Sequence, residues 1–164
     1  MSDQTVPCSI REAVAADYPA LTPIADEVHR LHATAHPAIF QPVERASSLP
    51  QAYFDDLLSG ESSTIQVAEI AGAIVGFAIV NVFDAPPFEV VVPRRIVFID
   101  SMVVTEAQRG RGIGQALVEA AIAWGRARGA TTLELTVWEF NDRARALYER
   151  LGLTTIHRTM QREI

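Results

Sequence analysis

The 164-residue sequence contains no lysine, and all 14 of its basic residues are arginines. That absence excludes the Gly-Lys-Ser/Thr phosphate loop of the Walker pattern. We read the all-arginine set as codon bias of a GC-rich, bacterial-type genome. Cysteine is almost missing too. Cys8 has no second cysteine to pair with, and no Cys/His spacing of a zinc site occurs. A reducing, cytoplasmic setting and no bound metal follow as expectations. No apolar run approaches the roughly 20 residues that span a bilayer, and the polar opening residues do not resemble a secretory leader. Positive charge is in deficit, with a net charge of −6. That argues against a nucleic-acid partner and is compatible with a cationic substrate.

What is present suits one domain over residues 1–164. At 49% hydrophobic residues the chain can bury a substantial core, but it is short for two domains. Its organising stretch spans residues 96–124. An apolar strand over 96–104 gives way to Arg109-Gly110-Arg111-Gly112-Ile113-Gly114 and then to a helix. Ile113, Leu117, Ala120, Ala121 and Trp124 recur at steps of three and four, the spacing of one helical face. Glycines at the start of that helix let a ligand approach the backbone, and the first-turn N–H groups point outward with the positive end of the helix dipole. Arg109 and Arg111 add full charge, so the stretch predicts an anion site suited to a diphosphate. The dinucleotide fingerprint G-x-G-x-x-G is not met.

Strand, Arg109-x-x-Gly112-x-Gly114 and amphipathic helix together resemble the acetyl-CoA signature of the GNAT N-acetyltransferase superfamily. In that family the pattern Gln/Arg-x-x-Gly-x-Gly/Ala holds the coenzyme A pyrophosphate on its backbone amides. A second block, Asn141-x-x-Ala144-x-x-x-Tyr148-x-x-x-Gly152-Leu153, is similar to the family's Asn-x-x-Ala-x-x-x-Tyr-x-x-x-Gly-Phe, with Leu153 in place of Phe. The two blocks in this order cover about the C-terminal half and are far more specific together than apart.

The rest of the chain reads consistently with an α/β fold. Residues 1–8 form a lead-in, 9–13 a first strand, and Asp17 the N-cap of a helix over 18–35. His29, His32 and His36 lie near the end of that helix and are expected to be solvated rather than metal-bound. A proline-broken connector over 37–50 precedes a short helix over 51–58. Its Phe40 either plugs the core or lines the acceptor groove that the family builds from this connector. Strands over 65–70, 76–83 and 95–104 form an antiparallel meander. A right-handed crossover sets 133–137 parallel to the last of them. A helix over 142–151 and a final strand over 154–160 complete the chain. The resemblance implies the GNAT fold, a mixed six- or seven-stranded sheet with splayed central parallel strands and about four helices.

The resemblance also implies an acetyl-CoA-dependent N-acetyltransferase that passes the acetyl group directly to a primary amine on a small molecule or peptide, with dimerisation common among members. The alternative is a non-catalytic acyl-CoA-binding regulatory module. By motif position, Arg109, Gly110, Arg111, Gly112, Ile113 and Gly114 hold the pyrophosphate, and Met102, Val103 and Val104 hold the pantetheine arm. Asn141 and Ala144 contact the coenzyme from across the splay. Tyr148 is the candidate general acid, because a phenol with a reference pKa near 10 stays protonated at neutral pH and can donate to a thiolate. Asp100 is the candidate base. Strand alternation puts it on the face of Met102 and Val104. Its competing role is that of ion partner to an arginine such as Arg95. Glu69 and Glu139 are weaker candidates for the base.

Overall fold

In the computed structural model, residues 8–45 and 47–164 are described; residues 1–7 of the expected lead-in lie outside them. The strands are β1 (Ser9–Glu12), β2 (Ser63–Ile70), β3 (Ala73–Asp84), β4 (Arg95–Val104) and β5 (Thr132–Leu135). The helices are α1 (Tyr18–Ala35), α2 (Gln51–Ser59), α3 (Ile113–Arg126) and α4 (Asp142–Arg150). The strands form a single five-stranded sheet in the order β1-β2-β3-β4-β5. Every neighbouring pair is antiparallel except β4 and β5. The crossover through α3 enforces that parallel pair.

Two apolar cores sandwich the sheet. Ile113, Leu117, Val118, Ala121 and Trp124 of α3 pack on Ala78, Val80, Val97 and Ile99. Leu21 and Ile24 of α1 and Phe54 and Leu57 of α2 pack on Ile65, Val67, Phe77, Ile79 and Val103 on the other side. Gly125 lets α3 sit directly on β4, since a Cβ there would overlap the side chain of Val97.

Two features of β4 position everything that follows. Its pairing with β5 runs from Ile96↔Thr132 to Ile99↔Leu135 and stops, although β4 continues to Val104. β5 itself ends at Leu135, so beyond Ile99 the β5-facing edge of β4 has no strand partner, and we refer to this gap as the fork. On its other edge, Ile79 faces Ser101 and Val80 faces Ile99, so Asp100 has no residue opposite it. Asp100 is the extra residue of a β-bulge, which inverts the side-chain alternation of everything after it.

The structure corrects several expectations. Five strands are seen among the described residues instead of six or seven. Residues 154–160 form no strand, and Ile156 and Met160 stand 71% and 92% exposed. On their face of an extended chain Arg158 comes between them, so the segment has no continuous apolar stripe to bury. Asp17 does occupy the N-cap position of α1, but its carboxylate caps nothing there. It is engaged instead by the Arg11 guanidinium, with bonds of 2.7 and 3.0 Å, and by the Val14 N–H at 2.8 Å.

Candidate active site

The glycine loop is built as a phosphate cradle would be. Gly110 and Gly112 have φ of 81° and 80°, which only glycine adopts without strain. Gly112 is the N-cap of α3, and no side chain caps that end. The first-turn N–H groups thus face outward without a side-chain acceptor. A Cβ on Gly112 would meet no protein atom within 4 Å, so the space in front of it is open. Gly114 has a different role. A Cβ there would lie 2.9 Å from Leu147 Cδ2 and 3.8 Å from Met102 Cε, so this glycine allows α4 to close on α3.

The two loop arginines separate. Arg111 is exposed and makes no ion pair among the described residues. Arg109 is engaged within the chain. Its Nε donates to the Val104 carbonyl at 2.9 Å, and its Nη2 lies 2.8 Å from Glu27 Oε1. The same Glu27 oxygen accepts the Glu106 N–H at 2.9 Å. Glu27 on α1 thus ties down both the loop and the end of β4, and nothing in the sequence marked it. A second cation comes from α4 instead: Arg143 Nη2 lies 3.9 Å from where a Cβ of Gly110 would be.

Met102, Val103 and Val104 lie along the part of β4 that β5 has left. Met102 and Val104 face the α3 core, and Val103 faces the α1/α2 core. Across the fork, Asn141 caps α4, its side-chain oxygen accepting the Ala144 N–H at 3.2 Å. Tyr148, one turn further on, packs against the α3-side core. Burial pushes its phenol up to about 12. Its hydroxyl has no hydrogen-bond partner among the described residues.

Asp100 is corrected in two respects. The bulge puts Val97, Ile99, Met102 and Val104 all on the α3 side, so the carboxylate projects from the opposite face. There it accepts a hydrogen bond from the Tyr53 hydroxyl of α2 at 3.2 Å. Burial, and then the Asp100 charge, pushes the Tyr53 phenol up to about 12. Arg95 pairs with Asp84 at 3.1 Å rather than with Asp100. The two weaker base candidates have partners of their own: Glu69 lies 3.0 Å from Arg11, and Glu139 lies 3.6 Å from Arg145.

His29 and His32 of α1 and His36 just after it are not simply solvated. His32 and His36 pack against Trp138 and Phe140, with ring centroids 5.1 to 6.2 Å apart. Phe40 meets Trp138 edge-on at 5.1 Å. Phe40 therefore joins the connector to the β5–α4 loop. Burial, then the neighbouring His29, holds the His32 imidazole below its usual range. Among the described residues no three His, Cys, Asp or Glu side chains gather into a metal site, and no helix is long and apolar enough to cross a membrane.

Comparison with known proteins places this architecture. The pattern of the acetyltransferase (GNAT) family matches residues 25–153. A Pseudomonas aeruginosa L-methionine sulfoximine/L-methionine sulfone acetyltransferase is 31% identical over 145 residues, covering 88% of this chain and 78% of the relative. The crystal structure of a point mutant of the BH1408 protein from Bacillus halodurans superposes with a TM-score of 0.90 at 32% identity, covering 95% of this chain and 99% of the other. The aminoglycoside N-acetyltransferase AAC(6')-Iy, crystallised with CoA, shares the fold at a TM-score of 0.72 and 15% identity, with 95% and 98% covered. The chain spans 34–63% of the length of three further curated N-acetyltransferases that it matches.

Proposed function

The chain belongs to the acetyltransferase (GNAT) family, and we propose from this premise that it transfers an acetyl group from acetyl-CoA directly to a primary amine. The observation that carries this reading is the fork after Ile99. It frees one edge of β4 between two chemically different faces, Tyr148 on the α3 side and Asp100 on the α2 side.

Each part of the site has a task in that reaction. The N–H groups at the start of α3 hold the pyrophosphate, helped by the dipole and by Arg111 and Arg143. Arg109 holds the loop against β4 rather than binding phosphate itself. The free edge at Met102, Val103 and Val104 binds the pantetheine arm. An N–H there donates to the acetyl oxygen as negative charge develops on it, and removing one such donor typically costs about 3 kcal/mol in the transition state. Asn141 and Ala144 flank the arm from the other side of the fork.

The amine nitrogen attacks the carbonyl carbon. As the C–N bond forms and the C–S bond breaks, the thiolate takes a proton from Tyr148. Before the attack the ammonium gives up one proton to Asp100 or water. The second proton lost from nitrogen as the amide forms returns through water to the Tyr148 phenolate. A phenol held near 12 is fully protonated at neutral pH, as a proton donor must be.

The test is release of free thiol from acetyl-CoA by the purified protein with a panel of primary amines. Amine-dependent thiol release supports the transferase. Acetyl-CoA binding without thiol release for any amine would favour a regulatory module instead.

A further inference from the structure

We propose that the acceptor is a primary ammonium on an apolar body the size of an aromatic ring, bound beside Asp100 on the α2-side face of β3 and β4. This rests on the acetyltransferase reading and assigns its substrate class. A cavity of about 630 Å³ opens on that face, lined by Glu61, Asn81, Phe83, Phe98 and Asp100 among others. Asp100, an exposed residue, lines it at the first β4 position beyond the reach of β5.

Its two chemical characters are separated in space. Phe83 and Phe98 form an apolar wall, with ring centroids 6.0 Å apart and planes at 50°. Phe83 is 43% exposed, a large aromatic surface left in water beside a polar floor. The charged side chains lining the cavity, Glu61 and Asp100, are both carboxylates. The nearby cation Arg95 is held by Asp84. No cation in the lining therefore pairs with the carboxylate of a free amino acid. Ser62, Ser63 and Asn81 line the rest of the floor, but a polyhydroxylated amino sugar would still leave hydroxyls without partners along Phe83 and Phe98.

The geometry sets the order of the parts. Phe98 and Asp100 lie two residues apart on one face, a rise of roughly 7 Å along the strand. An ammonium at Asp100 thus places a ring two or three carbons away on Phe98, and its far edge toward Phe83. The reacting nitrogen then lies at the fork, next to the free edge of Met102, Val103 and Val104. The bond changes are those given above: C–N forms, C–S breaks, Tyr148 supplies the thiol proton and Asp100 or water takes the one from the ammonium.

The experiment compares kcat/KM for phenethylamine, ethanolamine, glucosamine and phenylalanine, in the wild type and in Phe83→Ser. Phe98→Leu serves as a second variant that keeps the strand apolar. Phenethylamine should exceed each of the other three by tenfold or more. Both variants should lower the phenethylamine-to-ethanolamine ratio, Phe83→Ser by about tenfold. Turnover of ethanolamine, glucosamine or phenylalanine at or above that of phenethylamine would overturn the acceptor class and leave the transferase standing. If no amine releases thiol, equilibrium dialysis with phenethylamine decides. Saturable binding that Phe83→Ser abolishes would uphold the site while the transferase reading fails. Absence of saturable binding would overturn the site.

Discussion

Arg109 reaches across 82 positions of sequence to Glu27, with 2.8 Å between Nη2 and Oε1. Its Nε meanwhile holds the Val104 carbonyl at 2.9 Å. The guanidinium therefore locks the glycine loop, the last residue of β4 and α1 into one unit. The charge that a motif reading directs at phosphate is neutralised by a carboxylate of the same chain. With both partners about one-third exposed or less, the pair itself adds only about 1 kcal/mol to stability. Its consequence lies in placing the loop.

Glu27→Gln should therefore raise the Kd for acetyl-CoA by roughly three- to tenfold with a thermal midpoint nearly unchanged, because a preorganised cradle loses its brace. Calorimetric titration of Glu27→Gln, Arg109→Ala and the double variant checks this. The two losses should be strongly non-additive. Additive losses, or unchanged affinity in Glu27→Gln, would mean that Arg109 acts on the ligand without Glu27.

Gly112 and Gly114 should fail in different ways. A Cβ on Gly112 meets no protein atom, so Gly112→Val leaves packing intact but adds left-handed strain and fills the approach to the first-turn amides. Acetyl-CoA affinity should fall by about a hundredfold or more, with the circular dichroism unchanged. In Gly114→Ala the new methyl presses on Leu147, one residue before Tyr148. That variant should mainly lower kcat. The two Kd values and two kcat values check the contrast, and identical profiles would remove it.

Tyr148→Phe should lower kcat by about a hundredfold while acetyl-CoA Kd changes little, since the hydroxyl meets its partner as the thiolate forms. The pH dependence follows from the phenol held near 12. A folded pKa above the unfolded value near 10 means that the donor stays protonated through pH 10. It also means that its contribution to stability is complete below pH 10 and is lost as pH rises toward 12. Denaturant titrations between pH 9 and 12 should show a steeper loss in the wild type than in Tyr148→Phe. Equal slopes, or normal turnover in the variant, would make Tyr148 packing alone.

How much of this was legible depended on the distance over which each feature is encoded. The loop, α3 and α4 are local patterns, and Ile113, Leu117, Ala121 and Trp124 are buried where helical spacing put them. The bulge at Asp100 was not legible. Alternation counted along β4 alone puts Asp100 with Met102, and only the register against Ile79 and Val80 reveals the extra residue. The Glu27–Arg109 bond was hidden for the same reason, because an acidic residue on a helix carries no mark of a partner 82 residues away. The histidines misled in another way. Their spacing along α1 and its C-terminal end was visible, but Trp138 and Phe140, which pack on His32 and His36, come from the far side of the fork.

His32 makes the fold sensitive to acid. Burial, then the neighbouring His29, keeps its folded pKa below the usual 6.5. The unfolded chain therefore binds the proton more readily, and stability present above pH 6.5 is lost as pH falls below it. The drop in thermal midpoint from pH 7.5 to 5.5 should be smaller in His32→Leu than in the wild type. A drop of the same size in both would assign the acid sensitivity to other groups.

The last prediction concerns the contact between Tyr53 and Asp100. The Tyr53 hydroxyl donates to Asp100 across 3.2 Å, and its phenol is pushed up to about 12 by burial first and by the carboxylate second. Asp100→Asn removes the charge and leaves the burial. One tyrosine should then titrate at lower pH than in the wild type, but still above 10, as read by phenolate absorbance. The same variant should lower kcat/KM for a cationic amine by about thirtyfold or more and leave acetyl-CoA Kd nearly unchanged, because the anion site lies beyond the end of β4. Tyr53→Phe keeps the ring and removes the donor, so it should raise KM for the amine several-fold with kcat nearly intact, the mark of a residue that positions Asp100. An Asp100→Asn protein with wild-type kinetics and a lowered tyrosine pKa would show that the contact is real and that the chemistry does not use it. A lost tyrosine shift together with unfolding would make Asp100 a brace between β4 and α2.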